Sequence, residues 1–535
     1  MDAPQTQDLK GEVLTDKNEP IPGAICTLTG RMLPPEGVFA TTGERGGFEF
    51  QGLVPGPYDL TCASVGFQPL VKSGIEITDT QAPFIQMLLP PDVVVKQTVE
   101  VKEKAPTVSQ QNTTQPARIA APQLAALPLV QQKFKAALPL VPGVVRTPDG
   151  KISIKGTVET QGMLTVDSAE TVDPVTGSFS IEIPIDAVQS VEVYKSAYRA
   201  EFGRFSGGLT AVETKPPSDT FHFEINDFIP TPRIKNGHIV GIADNSPRLY
   251  VTGPLIKNKL TFSEAILYEF SRQPVRGLAW PNNETKTEGV NSYTSFQYIV
   301  TPQHLLTASV DIFPRKRQYA NINSLVPQSA SSDYGQTGFS TGWDDRYIRS
   351  SGGMLATQFQ FTRFDSYGHG QGALDMLVTP EGWDGNFFNS YSRDSSQEQL
   401  RQSYQYPRKQ FRGNHDLKVG WELVHRYYAG TIQSHPVVVQ RGDGSMAERI
   451  DFTGAGDLNV ADTEVAGFVQ DHWALNDQVA LDGGLRYSGQ TLGEPTNFAP
   501  RVGVVYSPGE SGKTIVRGGF GVFYDREPLL AGDWV

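Results

Sequence analysis

IDAVQSVEVYKSAYRAEFGRFSGGLTAVETK, Ile185–Lys215, is the stretch on which the reading of the chain turns. Val188, Val191 and Val193 open an apolar, β-prone run that ends at Tyr194. A polar turn with glycines follows, Arg199–Gly208, and it holds Glu201 and Arg204. Leu209–Thr214 then reads as a second strand. Spacing and composition therefore predict strand, compact polar loop, strand. By themselves these residues announce only a small α/β or β domain.

Their order says more. AEFGRFSGG (Ala200–Gly208) followed by ETK (Glu213–Lys215) resembles, almost position by position, the closing segment of the plug domain of TonB-dependent outer-membrane receptors. The resemblance implies a plug and an accessory domain before this stretch and strands of a transmembrane barrel after it. It marks Gly203, Gly207 and Gly208 as the glycines of the plug loop. Plug Arg and Glu residues in that family hold plug to barrel wall by ion pairs, a role that falls here on Glu201 and Arg204. If those groups are desolvated, removing one partner costs about 3–5 kcal/mol. In a solvated turn a pair would be worth under about 1 kcal/mol.

Composition agrees with a β-rich chain. Of 535 residues only 19% are charged, with 53 Gly, 38 Pro and 10% aromatics, and the length calls for several domains. The net charge of −12 and the lack of a basic block argue against nucleic acid as a partner. Mean hydropathy is −0.31, and no apolar run approaches the ~20 residues of a membrane helix. Barrel strands escape that test, because they alternate apolar and polar residues. The start, MDAPQTQDLKG, lacks the pattern of a signal peptide, which an outer-membrane protein needs; the expectation is a removed or missing leader.

Residues 1–90 predict a β-sandwich. Short apolar segments (Gly11–Leu14, Ala24–Thr29, Gly47–Gln51, Tyr58–Ser64, Ile75–Ile77, Phe84–Leu89) alternate with Pro/Gly turns. GEVLTDKNEPIPGAICTLTG and GGFEFQGLVPGPYDLTCASVGFQ closely resemble the carboxypeptidase-regulatory-like, transthyretin-like sandwich. The PGPYDL element (Pro55–Leu60) with Gly66 and Phe67 carries most of that likeness. It implies a rigid accessory module, with glycan contact as an option, and no peptidase. No His-x-x-Glu occurs to offer the usual zinc pairing. Cys26 and Cys62 both lie in this segment; a disulfide and two buried free thiols are both open readings.

Residues 91–122 read as a tether, poor in apolar residues and rich in Gln, Thr and Pro. Gln97, Thr98, Val99, Glu100 and Val101 form a β-prone run placed where such receptors carry a TonB box, which adds as a strand to the energising partner. An edge strand of a neighbouring domain is the plainer reading of the same run. Residues 123–217 are expected to form the small α/β plug. Leu124–Val145 combines a short helical pattern with a PGV stop, and Ile152–Gly156 and Met163–Glu170 resemble further plug segments. In the last of these Ser168 stands where the family has glycine, which puts the tight turn after Asp167 in question.

Residues 218–535 carry alternation over about ten residues, the mark of a barrel wall between lipid and lumen. Phe221, Phe223 and Ile225 oppose His222, Glu224 and Asn226. Leu260, Phe262, Ile266, Tyr268 and Phe270 share a face, and Leu306, Ala308, Val310 and Ile312 alternate with Thr307, Ser309 and Asp311. Leu417, Val419, Trp421 and Leu423 alternate with Asp416, Lys418 and Glu422; Val479, Leu481, Leu485 and Tyr487 with Asp482, Arg486 and Ser488. Val516, Phe520, Val522 and Tyr524 close the series against Arg517, Gly519 and Gly521. GPLIKNKLTFSEAILYEFSRQ (Gly253–Gln273) and NFAPRVGVVYSPGESGKTIVRGGFGVFYD (Asn497–Asp525) resemble Oar-like barrels. Roughly 12–14 strands are expected against about 22 in complete barrels of this kind, and EPLLAGDWV reads as a loop, so the wall is expected to be incomplete.

Three motifs are decoys. SPGESGKT (Ser507–Thr514) has Ser507 where a phosphate-binding loop has its first glycine, and reads as a hairpin turn. GFSTG (Gly338–Gly342) matches a nucleophile elbow but lacks a following helix, and reads as an extracellular loop. RGD at Arg441–Asp443 reads as a polar loop tip. No catalytic residue, metal site or cofactor is expected. The resemblance implies energised uptake at the outer membrane, with a TonB-type periplasmic protein, membrane lipid and a glycan, peptide or siderophore substrate as partners. The alternative is a cell-surface binding or adhesion protein that uses the sandwich and loops without transport.

Overall fold

The computed structural model describes residues 6–89 apart from 16–17, 31–32, 34–36, 65–66, 68 and 79–81. It then describes residues 113–534 apart from 115, 127–132, 149, 196–198, 350–351, 454–455, 477, 494–495 and 509–513. The chain is mainly β throughout.

Seven strands build the N-terminal sandwich: β1 (Gln7–Thr15), β2 (Ile25–Gly30), β3 (Val38–Thr41), β4 (Gly47–Leu53), β5 (Gly56–Ala63), β6 (Leu70–Ile77) and β7 (Ile85–Leu89). One sheet runs β4-β1-β7 and the other β3-β2-β5-β6. Alternate residues of both sheets (Leu9, Val13, Leu28, Phe48, Phe50, Leu60, Ile75, Ile77, Met87) meet in one core, as a two-layer β fold requires. β3 went unseen in the sequence, since four residues flanked by Pro and Gly carry little periodic signal. Cys26 and Cys62 stand directly opposite each other on β2 and β5, and a disulfide joins them.

The second unit is a mixed sheet of β8 (Ala117–Ala120), β11 (Met163–Val166), β12 (Ala169–Glu170), β13 (Val188–Tyr194) and β14 (Leu209–Thr214), in the order β12-β11-β14-β13-β8. A side hairpin, β9 (Val144–Arg146) with β10 (Ile152–Ile154), lies beside it. The helical pattern in Leu124–Val145 becomes α1 (Ala121–Ala126), α2 (Phe134–Ala137) and a 3₁₀ turn at Leu138–Leu140. Gly143, at φ +83°, ends that run because left-handed backbone suits glycine. Phe134, Leu138, Phe179, Val188, Val191 and Val193 fill the core.

The turn after Asp167 forms in spite of its serine. Asp167 and Ser168 both take positive φ, 48° and 75°, and close the two-residue hairpin between β11 and β12. The Asp167 carboxylate fixes the turn by accepting from the Thr214 amide at 2.9 Å and the Thr214 hydroxyl at 2.7 Å. A serine is held here in backbone that glycine would adopt freely.

Around this plug winds an antiparallel meander. Its strands run His222–Asn226, Arg248–Ile256, Leu260–Pro274, Glu284–Thr301, His304–Gln318, Ser332–Ile348, Met354–Gly370, Asn389–Gln405, Asn414–Ser434, Asp457–Ala474, Val479–Gln490, Thr496–Tyr506 and Val516–Gly521. The first and last strands do not pair with each other, so the barrel is not closed. Short turns join strands at one end, as at 257–259 and 302–303, and long loops at the other, as at 371–388 and 435–456. By the usual asymmetry of such walls, the short-turn end is periplasmic.

The wall is inverted relative to a soluble sheet. On Asn414–Ser434, Asp416, Lys418, Glu422 and Arg426 are buried inward, while Trp421, Leu423 and Tyr427 are exposed outward. Phe221, Phe223, Val465, Tyr487, Val502, Val504 and Phe520 are likewise exposed. Charge inside and apolar side chains outside is the arrangement lipid imposes.

Two expectations about the wall are corrected. GFSTG is no loop: Gly338–Gly342 lies within strand Ser332–Ile348. Its glycine is needed because a Cβ at Gly338 would enter the Phe313 ring on the inner face. The final strand stops at Gly521, and Val522 and Tyr524 lie beyond it. The backbone there leaves the sheet to carry Arg526 into the lumen, where its amide donates to the Arg204 carbonyl at 3.2 Å.

Candidate functional site

The loop between β13 and β14 is polar in sequence and buried in the structure. β13 and β14 pair in register from Val193 with Thr210 to Tyr194 with Leu209, so the intervening residues must project from the end of the plug sheet. They press into the wall at four consecutive strands, from Asn389–Gln405 to Val479–Gln490.

Glu201 and Arg204 do not pair with each other; each faces its own set of wall groups. The Glu201 carboxylate accepts from Arg401 at 2.7 Å, Lys418 at 2.8 Å and the Gln470 amide at 3.1 Å. Its own backbone N–H donates to Gln470 at 3.0 Å. Arg204 donates to Glu170 of the plug at 2.8 Å and to Glu422 and Glu464 of the wall at 2.9 and 3.3 Å. Arg486 crosses the same carboxylates, 2.6 Å from Glu422 and 3.4 Å from Glu464, and Arg526 closes on Glu170 at 3.1 Å.

Gly203 lies between these two anchors. A Cβ there would stand 2.7 Å from the Arg486 guanidinium carbon, so any larger residue would have to push that arginine from its present place against the carboxylates. Gly207 and Gly208 serve similar close approaches, the first against Thr157 and Gln161, the second against Ile154.

Burial pushes the Glu201 carboxylate up, but Lys418, Arg401 and Arg199 outweigh it and hold the group at about 2. Glu170 is also held below the ordinary carboxylate range: burial raises it, and Arg204 and Arg526 more than reverse that. Arg204 is driven the other way, well above its usual value, since its three carboxylates overcome desolvation. The charges are thus permanent at neutral pH, and each is satisfied by a group on the opposite side of the plug–wall joint.

Further anchors lie around the rim. Lys133 joins Glu182 at 3.1 Å to Glu269 of the wall at 2.7 Å. Asp186 pairs with Arg248 at 2.9 Å, and Asp173 with Arg393 at 2.9 Å. At the periplasmic end Thr113 donates to Asp482, whose other oxygen lies 2.6 Å from His472 Nδ1.

The sequence located the plug side of this joint but not its wall side. Arg401, Glu464, Gln470 and Arg526 carried no motif, and Glu170 was legible only as the end of the plug-like segment Met163–Glu170. The one legible signal was ionisable residues on the polar face of strands that also have an apolar face, as at Lys418, Glu422 and Arg486. The run Gln97–Val101 lies outside the described residues. Among the described residues no group of three or more potential metal ligands occurs, and no helix is long and apolar enough to cross a membrane.

Residues 8–89 match the carboxypeptidase regulatory-like domain, and residues 490–533 match an outer membrane beta barrel domain. The TonB-dependent transporter Oar of Myxococcus xanthus is 21% identical over 98% of this chain and 62% of its own length. The chain is thus similar to TonB-dependent transporters and receptors along nearly its whole length. Its fold agrees with solved receptors. The siderophore receptor PirA of Acinetobacter baumannii superposes with a TM-score of 0.61 at 15% identity, over 77% of this chain and 61% of that one. The outer membrane transporter YddB of Escherichia coli gives 0.59 at 14%, over 78% and 62%. The chain spans about six tenths of the length of these relatives, and the beta barrel match assigns it to the outer membrane.

Proposed function

We propose that the receptor takes up a substrate across the outer membrane in steps energised from the periplasm, and that the Glu201 and Arg204 anchors set the resistance the plug offers to movement. The observation that carries this reading is the joint itself. A plug held by buried, paired charges is firm while seated, yet among the described residues its only covalent tie to the wall is the backbone running on from Lys215. Among the described residues after the sandwich, Thr113 is the first to bond the wall, at Asp482, so force applied along the tether would be felt at that contact. In this reading Gln97–Val101 is the segment that adds as a strand to a TonB-type protein. The substrate class is a glycan, a peptide or a siderophore. A surface-binding protein without transport is not favoured, because the relatives are named as transporters and receptors.

A cysteine scan tests the proposal. Single cysteines at residues 97–101 are paired in cells with single cysteines on the periplasmic energising protein. Cross-links that alternate along the run, and that depend on the membrane potential, are expected. Uniform failure to cross-link across the five positions sinks this assignment.

A further inference from the structure

One carboxyl side chain that the wall turns toward the plug has no partner. Strand His304–Gln318 turns Asp311 inward, where it is 2% exposed. Both of its carboxylate oxygens lack a hydrogen-bond donor. The groups that could have served it are engaged elsewhere. Directly across the sheet on one side is Tyr293, whose hydroxyl meets Asp167 and Thr214 at 3.2 Å. On the other side is Ser340, which takes the Gln360 amide N–H at 2.6 Å. Lys133 is spent on Glu182 and Glu269.

Asp311 opens instead onto a cavity of about 50 Å³ between plug and wall. One water needs roughly 10–15 Å³ by the same measure, so the space admits an ion that keeps only a few of its waters. Ser309, Thr307, Gln358 and Gln360 line it with Asp311. Gln358 spends an N–H on the Asp167 carbonyl at 2.8 Å and Gln360 spends one on Ser340, so each has its amide oxygen to offer. The other two carboxylates at the cavity are neutralised or bonded: Asp344 by Arg346 at 2.7 Å, Asp167 by Thr214.

We propose that this cavity binds one monovalent hard cation, of the sodium class, against the unpartnered carboxylate of Asp311. The donors are all oxygen, which suits a hard cation rather than a transition metal. With its proton displaced, Asp311 would present a single negative charge among neutral oxygens, which matches a single positive charge. A bare buried carboxylate costs several kcal/mol, so it is neutralised either by a proton or by a cation, and the oxygen-lined space beside Asp311 has room for the cation. The cavity also touches Val166 and Asp167 of the plug, so the bound ion would tie plug to wall at a point distinct from Glu201 and Arg204. The inference is independent of transport and of the TonB segment.

The test uses the receptor extracted from outer membranes in detergent, at pH 8 and constant ionic strength, with sodium chloride exchanged against choline chloride. The thermal midpoint is expected to rise with sodium and level off over about two decades of concentration, as a single saturable site requires. Asp311→Asn keeps the shape, removes the charge and is expected to abolish that response. The exposed Asp384→Asn is expected to leave it intact. Sodium titration of the unaltered protein decides even if Asp311→Asn does not fold. An equal response to choline, no response at all, a response retained in Asp311→Asn, or a stronger response to calcium than to sodium would each overturn the assignment.

Discussion

Replacing Glu201 by glutamine should loosen the plug without altering its shape. Glutamine keeps the length of the side chain and its contact with Gln470, but leaves Lys418 and Arg401 buried beside a neutral amide. The loss can be sized in two ways. The carboxyl falls from an ordinary 4.5 to about 2 on folding, which at about 1.4 kcal/mol per unit is roughly 3 kcal/mol of preference for the charged form. Removing one partner of a buried ion pair independently costs about 3–5 kcal/mol. A change of about 3 kcal/mol raises the equilibrium population of the unseated plug by roughly 100-fold. Hydrogen exchange at the amides of β13 and β14 reads that population, because those amides are protected only while the plug is seated. The sign with pH follows from the same shift. A lowered carboxyl stabilises fully above its free value of about 4.5 and loses its effect as the pH falls toward 2. Wild-type protection factors, taken relative to the intrinsic exchange rate at each pH, should therefore fall across that interval, and Glu201→Gln should flatten the dependence. Pairing it with Lys418→Met should recover part of the loss, since an apolar replacement of the whole pair is often neutral. If Glu201→Gln exchanges within threefold of wild type, the joint is not held by this charge and the reasoning fails.

Three further outcomes follow. Ser168→Gly relieves left-handed backbone and should stabilise the plug by about 1 kcal/mol, seen as slower exchange at β11 and β12. Gly203→Ala should displace the Arg486 guanidinium from Glu422 and Glu464 and loosen the plug by about 2–4 kcal/mol, whereas Gly442→Ala at an open loop tip should change little. Leu423→Arg puts a charge on the lipid face between Trp421 and Tyr427. It should cost about 2–4 kcal/mol of wall stability, read by membrane insertion, while the plug's own fold is untouched.

Much of the architecture was legible in advance, because it rests on local physics. Alternation with period two places Leu417, Val419, Trp421 and Leu423 on one face whatever lies around them. Turn residues delimit the sandwich strands for the same reason, and the order of residues in Ala200–Gly208 carried the likeness to the plug. Where the reading slipped, a distant contact had overruled a local rule. GFSTG is strand because its backbone pairs on both sides, Gly338 with Phe313 and Phe364 and Gly342 with Ser309 and Gln360. The final strand ended early because Arg526 turns toward Arg204 and Glu170. Ser168 kept its turn because Thr214 and Tyr293 grip Asp167.

The sequence by itself determined that the chain is a sandwich, a plug and a wall with an apolar outer face, since each of those is written in residue order and period. Only the tertiary structure decided which charges meet. Glu201 lies 200 residues from Arg401 and 217 from Lys418, and Arg204 lies 260 from Glu464. No periodicity spans such distances. These pairs exist because the meander brings four wall strands side by side around one loop. The same enclosure left Asp311 buried with no partner, a fact that has no trace in the order of the residues.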